Sequence, residues 1–145
     1  MQVKRLNSDL AVSPQIDPAD IDTLAALGFR SIIGNRPEHE TPDQPGWADI
    51  KAAATGRGLE AIHIPVVASQ ITDEDVQKFR VALERLPKPI AAFCRTGTRS
   101  TLLWALANAT RLTIDERLEI AAAEGYDLSP FRAQLEAADE RADHA

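Results

Sequence analysis

Strands that alternate with helices place this chain of 145 residues in the α/β class, with a mostly parallel central sheet flanked by helices. Three observations predict that class. Short apolar runs at residues 10–13, 30–36, 59–66 and 90–93 are each separated by a helix-like segment, the pattern of successive strand–helix–strand units. The helix-like segments carry their own start and stop residues. The only cysteine, Cys94, closes the last apolar run just before a helix, and ligands of parallel sheets bind at that end of the strands.

Residues 3–6 and 10–13 read as two short strands about a turn at Asn7-Ser8-Asp9. A helix follows over residues 18–28, with Asp17 as its cap, Pro18 in its first turn and Gly28 at its end. Arg30-Ser31-Ile32-Ile33-Gly34-Asn35-Arg36 is a buried strand, and a polar loop runs from Pro37 to Pro45. Residues 47–58 form a second helix closed by glycine, and residues 59–66 a strand with imperfect alternation. Thr72 and Asp75 have the spacing of a capping box for the third helix. Val76, Phe79, Val81, Leu83 and Leu86 supply its apolar residues, most of them on one face. After the strand at 90–93 comes the Cys94 loop and a helix over 101–110. Thr113, with Glu116 three residues on, caps a helix that ends at Gly125; Ser129 caps the last one, with Pro130 just inside. Residues 1–138 are expected to form one domain and residues 139–145 a charged tail that frays.

The chemistry concentrates at Cys94-Arg95-Thr96-Gly97-Thr98-Arg99-Ser100. A lone cysteine is by itself usually a small buried hydrophobe. Here it opens a polar loop with Arg95 and Arg99 close by and Gly97 free to take a positive φ. A curled loop and a helix N-terminus aim backbone N–H groups at one point, which favours a thiolate and an anionic substrate together. Cys94 is therefore the candidate nucleophile and Arg99, with its planar fork of donors, the candidate anion binder. Arg95 supports the anion from the rim. Thr96, Gly97, Thr98 and Ser100 complete a nest of amides, and Ser100 either bonds the thiolate or caps the helix. Arg36 orients the loop or pairs with Glu38 or Glu40. His39 and Glu40 lie on a polar loop that can reach a cleft, whereas His63 and Trp104 read as structural.

Bulk properties narrow the partners. A net charge of −6 argues against nucleic acid. Three scattered histidines and a single cysteine make no metal site, and no cofactor is implied. No run approaches the roughly 18 apolar residues of a membrane span, and residues 1–7 do not resemble a signal peptide, so the cytoplasm is the expected compartment. No helix carries a sustained heptad, and the oligomeric state stays open.

The loop Cys94-Arg95-Thr96-Gly97-Thr98-Arg99 resembles the C-R-x-G-x-R loop of rhodanese-type sulfurtransferases, with four residues between cysteine and arginine. Loops of protein tyrosine and dual-specificity phosphatases hold the arginine one residue later, and position 100 here is serine. The rest of the chain resembles the phosphatases: Gly28-Phe29-Arg30-Ser31-Ile32-Ile33, Asn35-Arg36-Pro37 and Ile64-Pro65-Val66 look like their early helix–strand and the strand before their third helix. Nearly the whole chain is similar to the phosphatase-like domain of the beta-lactamase-hydrolase-like family. That resemblance implies a cysteine-phosphatase-like, dual-specificity-phosphatase-like fold. Because the domain also occurs fused to a persulfide dioxygenase, it further implies a functional link to such an enzyme.

Two chemistries follow. Phosphate ester hydrolysis through a phosphocysteine needs an acid to protonate the leaving alkoxide, and the resemblance places that acid after the Ile64-Pro65 strand. Residues 66–70 hold no carboxylate, and Asp73 and Asp75 read as helix-start acids. Sulfur transfer from thiosulfate or glutathione persulfide through a Cys94 persulfide needs no such acid, because the leaving group is already a stable anion. Sulfur transfer is the favoured expectation and phosphatase action the alternative. A non-catalytic anion-binding module, or an interaction domain, completes the set.

Overall fold

The computed structural model describes residues 1–143. Five strands, β1 (Lys4–Arg5), β2 (Leu10–Ser13), β3 (Ser31–Gly34), β4 (Glu60–His63) and β5 (Ile90–Phe93), form one sheet in the order β1-β2-β5-β3-β4. Only the β1–β2 pair is antiparallel; β2–β5, β5–β3 and β3–β4 are parallel. The α/β class with a mostly parallel sheet is therefore the observed architecture, and the chain order at its centre puts β5 between β2 and β3.

The alternation of side chains along these strands builds two cores. Ala11, Ile32, Ala91 and Phe93 face one way, against Ile21 and Leu24 of α1 (Asp20–Ala26) and Ile50 and Ala54 of α2 (Trp47–Gly56). Val12, Ile33, Ile90 and Ala92 face the other way, toward α3 (Asp73–Arg85), α4 (Thr98–Ala107), α5 (Ile114–Ala123) and α6 (Arg132–Asp143). A sheet covered on both faces must bury both residue parities, and all four residues of β2, β3 and β5 are buried. In α4 the eight residues from Ser100 to Ala107 are likewise buried, as expected of a helix without a polar face.

Several boundaries differ from the sequence-based expectation. The first helix begins at Asp20, and Asp17 does not cap it; the Asp20 carboxylate instead accepts from the Asp17 N–H at 2.8 Å. The helix after the cysteine begins at Thr98 rather than at residue 101, which brings Arg99 and Ser100 into its first turn. Both expected capping boxes, Thr72–Asp75 and Thr113–Glu116, are present. Ser129 caps nothing: it begins a short 3-10 turn, and its hydroxyl donates to Asp127. The expected fraying tail is helical through Asp143, and residues 144–145 lie outside the described residues.

Its anchor is Arg117 of α5, which is fully buried. The guanidinium donates to Ala105 O in α4 at 2.8 Å and forms an ion pair with Asp139 of α6. One side chain thus ties three helices. Replacing Arg117 with alanine leaves these acceptors without their buried donor, and we expect a loss of about 2–4 kcal/mol in urea unfolding. The Cys94 alkylation rate of the folded variant should stay at the wild-type value.

Candidate active site

The carboxyl ends of the three central strands converge on Cys94. Its backbone N–H donates to Ser13 O at the end of β2, at 3.4 Å, and Gln15 N–H donates to Arg95 O at 3.2 Å. On the other flank, Asn35 N–H, just past β3, donates to Phe93 O at 2.8 Å. The Cys94 position is thereby pinned by the backbone on both sides.

Cys94 Sγ is fully buried and accepts a hydrogen bond from the Gly97 N–H at 3.0 Å. Gly97 sits at φ +98°, in the left-handed region, and is the N-cap of α4. Glycine is needed there twice over. That backbone conformation disfavours other residues, and a Cβ would stand 2.2 Å from Tyr126 Oη. Among the described residues the Arg99 and Ser100 amides, in the first turn of α4, have no acceptor, so they remain free for an anion.

Arg99 is held from its far edge. Nη1 donates to Glu40 Oε2 at 2.6 Å and to Val66 O at 3.1 Å, and Nη2 donates to Glu40 Oε1 at 2.8 Å. The guanidinium has five N–H groups in a plane. This leaves Nε–H and the second Nη2–H, which share one edge of the fork, outside the Glu40 and Val66 bonds, and Arg99 also interacts with Cys94. A planar anion or two oxygens of a tetrahedral one can occupy that edge. The Arg99 pKa is raised, first by the Glu40 hydrogen bond, against the opposing effect of burial, and then by the charge of Cys94.

Glu40 also accepts from Arg36 Nε at 2.9 Å, and Arg36 donates on to Gln15 Oε1 at 3.0 Å. The Arg99 hydrogen bond, followed by that of Arg36 and the charges of both, lowers the Glu40 pKa from its ordinary 4.5 to about 2, against a partial opposing effect of burial. Glu40 is placed by its own loop: its N–H donates to Gln44 Oε1 at 2.8 Å, and Gln44 Nε2 donates back to Pro37 O. His39, just before it, takes a positive φ of 62°.

The sequence-predicted residues divide. Cys94, Gly97 and Arg99 come together. Arg95 is exposed at the rim. Thr96 and Thr98 bond each other through their hydroxyls at 3.1 Å, and the Thr98 amide turns to Thr96 Oγ1. Ser100 does neither of the things expected of it: its hydroxyl donates to Asn35 Oδ1 at 2.8 Å in the buried interior. Asn35 Nδ2 then donates to Ile64 O, which fastens α4 to the chain beyond β3 and β4. Asp73 pairs with Arg141 and Asp75 serves the capping box, the helix-start roles expected of them. His63 bonds Arg36 O and stacks on Trp47, and that ring lies where a Gly34 side chain would be. Glu40 reaches the site and pairs with Arg36, as its loop position and spacing allow; Gln15, Asn35 and Tyr126 are the additions. The Glu40–Arg99 pair, 59 positions apart, had no signal in the sequence.

Residues 2–111 match the family described as beta-lactamase hydrolase-like protein, phosphatase-like domain. A beta-lactamase hydrolase-like protein of Xylella fastidiosa is 35% identical over 130 residues, covering 88% of this chain and 30% of that protein. The chain thus spans about 30% of the length of the curated relatives it matches. A solved structure from Neisseria meningitidis, provisionally described as a phosphatase, superposes with a TM-score of 0.89 at 38% identity and covers 95% of this chain and 99% of that one. PTPMT1 in complex with PI(5)P gives a TM-score of 0.76 over 100% of both chains; at 16% identity that is a likeness of fold. These likenesses support an enzyme of cysteine-phosphatase-like architecture. They favour the phosphatase alternative over sulfur transfer, which none of these descriptions names.

Because the Glu40 pKa is depressed on folding, its contribution to stability is complete above about pH 4.5 and is lost as pH falls from there toward about 2. Replacing Glu40 with glutamine removes the charge that fixes the fork. We expect sulfate or thiosulfate to bind about ten-fold more weakly by calorimetry. In urea melts, the stability gap between wild type and variant should close over that same acid range.

Proposed function

This chain belongs to the phosphatase-like domain family of beta-lactamase hydrolase-like proteins, and within it we propose that it is a cysteine-dependent sulfurtransferase that carries sulfur on Cys94. The observation that carries this reading is the state of Glu40. It is the carboxylate brought to the anion-binding arginine, and two arginines hold its pKa at about 2. At neutral pH, about five units higher, it has no proton to give.

In the proposed first step the Cys94 thiolate attacks the outer sulfur of thiosulfate. The donor S–S bond breaks, sulfite leaves with the electron pair, and a Cys94 persulfide forms. A thiolate or cyanide then attacks the terminal sulfur, the Cys94–sulfur bond breaks, and the thiolate is restored. Neither step requires a proton from the protein. Arg99 binds the donor anion through its Nε–Nη2 edge, and Arg95 adds positive charge at the rim. The Gly97 amide and the free amides at the start of α4 hold the charged sulfur. A ring with four residues between Cys94 and Arg99 has fewer amides than a five-residue one, which suits a sulfur atom better than a phosphoryl group with three oxygens. Glutathione persulfide is an equally suitable donor. A functional link to an enzyme that consumes persulfides is part of the proposal. So is a reducing compartment such as the cytoplasm, where a free thiol persists.

The second reading, phosphate monoester hydrolysis through a phosphocysteine, is favoured by the architecture and by the description of the Neisseria meningitidis relative. It requires a proton donor for the leaving alkoxide, a role Glu40 does not fill in its paired state.

Intact mass after incubation with excess thiosulfate or glutathione persulfide separates the readings. The expected result is a gain of about one sulfur atom on the wild type, discharged by cyanide or thiol and absent from Cys94→Ser. No adduct, together with phosphate ester hydrolysis that dies in Cys94→Ser, would overturn the sulfur reading.

A further inference from the structure

Tyr126 follows α5 and lies across the loop, far in sequence from the residues that carry the chemistry. Its hydroxyl donates to Thr96 O at 3.2 Å. Thr96 C=O and Gly97 N–H belong to the same planar peptide group, and that N–H is the one that donates to Cys94 Sγ at 3.0 Å. One peptide unit therefore carries the tyrosine hydroxyl on its oxygen and the nucleophilic sulfur on its nitrogen. We propose that Tyr126 is a positioning residue that locks the Thr96–Gly97 peptide with its N–H on Cys94 and thereby stabilises the thiolate.

Three physical considerations support this. A peptide that precedes a glycine at φ +98° can rotate at low cost. If it turned over, its carbonyl oxygen would face a negatively charged sulfur instead of its N–H. A hydrogen bond to the oxygen fixes the orientation. The same bond polarises the peptide, because hydrogen bonds in a chain strengthen one another. The ring adds a steric stop, since Tyr126 Oη, Cζ and Cε1 occupy the space beside Gly97 to within 2.2–2.9 Å of where a Cβ would stand. Burial, and then the charge of Cys94, raises the Tyr126 pKa, so the hydroxyl keeps its proton and remains a donor through the neutral range.

Other charged groups act on Cys94 without passing through Tyr126. Arg99 reaches it from α4, Arg95 stands in the loop, and Glu40 and Arg36 act through Arg99. Tyr126→Phe leaves all of them in place, keeps the ring and removes only the hydroxyl. The inference rests on Cys94 being the nucleophile and is independent of whether sulfur or phosphorus is transferred.

The test reads the thiolate without turnover. The pH dependence of Cys94 alkylation by iodoacetamide, a neutral reagent, is measured for wild type and Tyr126→Phe. The Gly97 amide proton is followed by NMR across the same titration. We expect the alkylation midpoint of the variant to rise by about half a pH unit or more, roughly a three-fold loss in thiolate at a given pH. The Gly97 amide shift that tracks Cys94 ionisation should also shrink. A Tyr126→Phe midpoint that coincides with wild type, with an unchanged Gly97 titration, would overturn the proposal even if the variant were less stable. The proposed sulfur transfer stands or falls separately, on the mass of the loaded protein.

Discussion

Glu40 stands between two arginines, and much of the site depends on that placement. Arg36 and Arg99 would repel each other across the mouth of the sheet; the shared carboxylate makes their proximity favourable, at 2.9 Å from Arg36 and 2.6 and 2.8 Å from Arg99. Because it takes the end of the Arg99 fork, the other edge is presented to an incoming anion. Because it is flanked by two cations, it cannot hold a proton in the neutral range. The contact that orients Arg99 is thus the same contact that keeps Glu40 ionised. That coupling underlies the proposed chemistry: a fixed cationic fork whose carboxylate partner stays ionised suits leaving groups that depart as stable anions.

The sheet supplies the rest of the geometry. Parallel strands bring their carboxyl ends to one side, and β5 lies at the centre, so the turns after β2 and β3 necessarily flank the cysteine. Gln15 comes from the first, Asn35 and Arg36 from the second. The buried bond from Ser100 to Asn35 and the Asn35 bond to Ile64 O tie α4 to this frame. The loop that holds the buried sulfur is therefore mounted on rigid elements at both ends.

The local part of this organisation was legible in the sequence. Strands of one apolar parity or two, capping boxes at Thr72 and Thr113, and the Cys94-to-Arg99 spacing all depend on neighbours within a few residues. What the sequence hid depends on distance. Glu40 lies 59 positions from Arg99 and Tyr126 lies 30 from Thr96, and a polar residue in a loop has no periodicity to announce its partner. Nothing local in the sequence distinguishes Arg117, which is buried, from an exposed arginine. The same cause explains the tail: Asp139 gains its order from Arg117 on another helix. The sequence offers Ser100 the thiolate or the helix end because both are adjacent, whereas its acceptor, Asn35 Oδ1, lies 65 positions away.

The architecture is shared with phosphatases, and the sulfur transfer we propose rests on the short loop and on the paired state of Glu40. Both claims concern the same thiolate, so rates on two substrates compare them directly. The decisive measurement is kcat/KM for sulfur transfer from thiosulfate to cyanide beside kcat/KM for hydrolysis of an aryl phosphate, at one pH near neutrality. A missing general acid costs about 100-fold or more in ester hydrolysis. The account predicts that sulfur transfer exceeds hydrolysis by at least that margin and that both vanish in Cys94→Ser. Hydrolysis of the phosphate ester faster than sulfur transfer would contradict it.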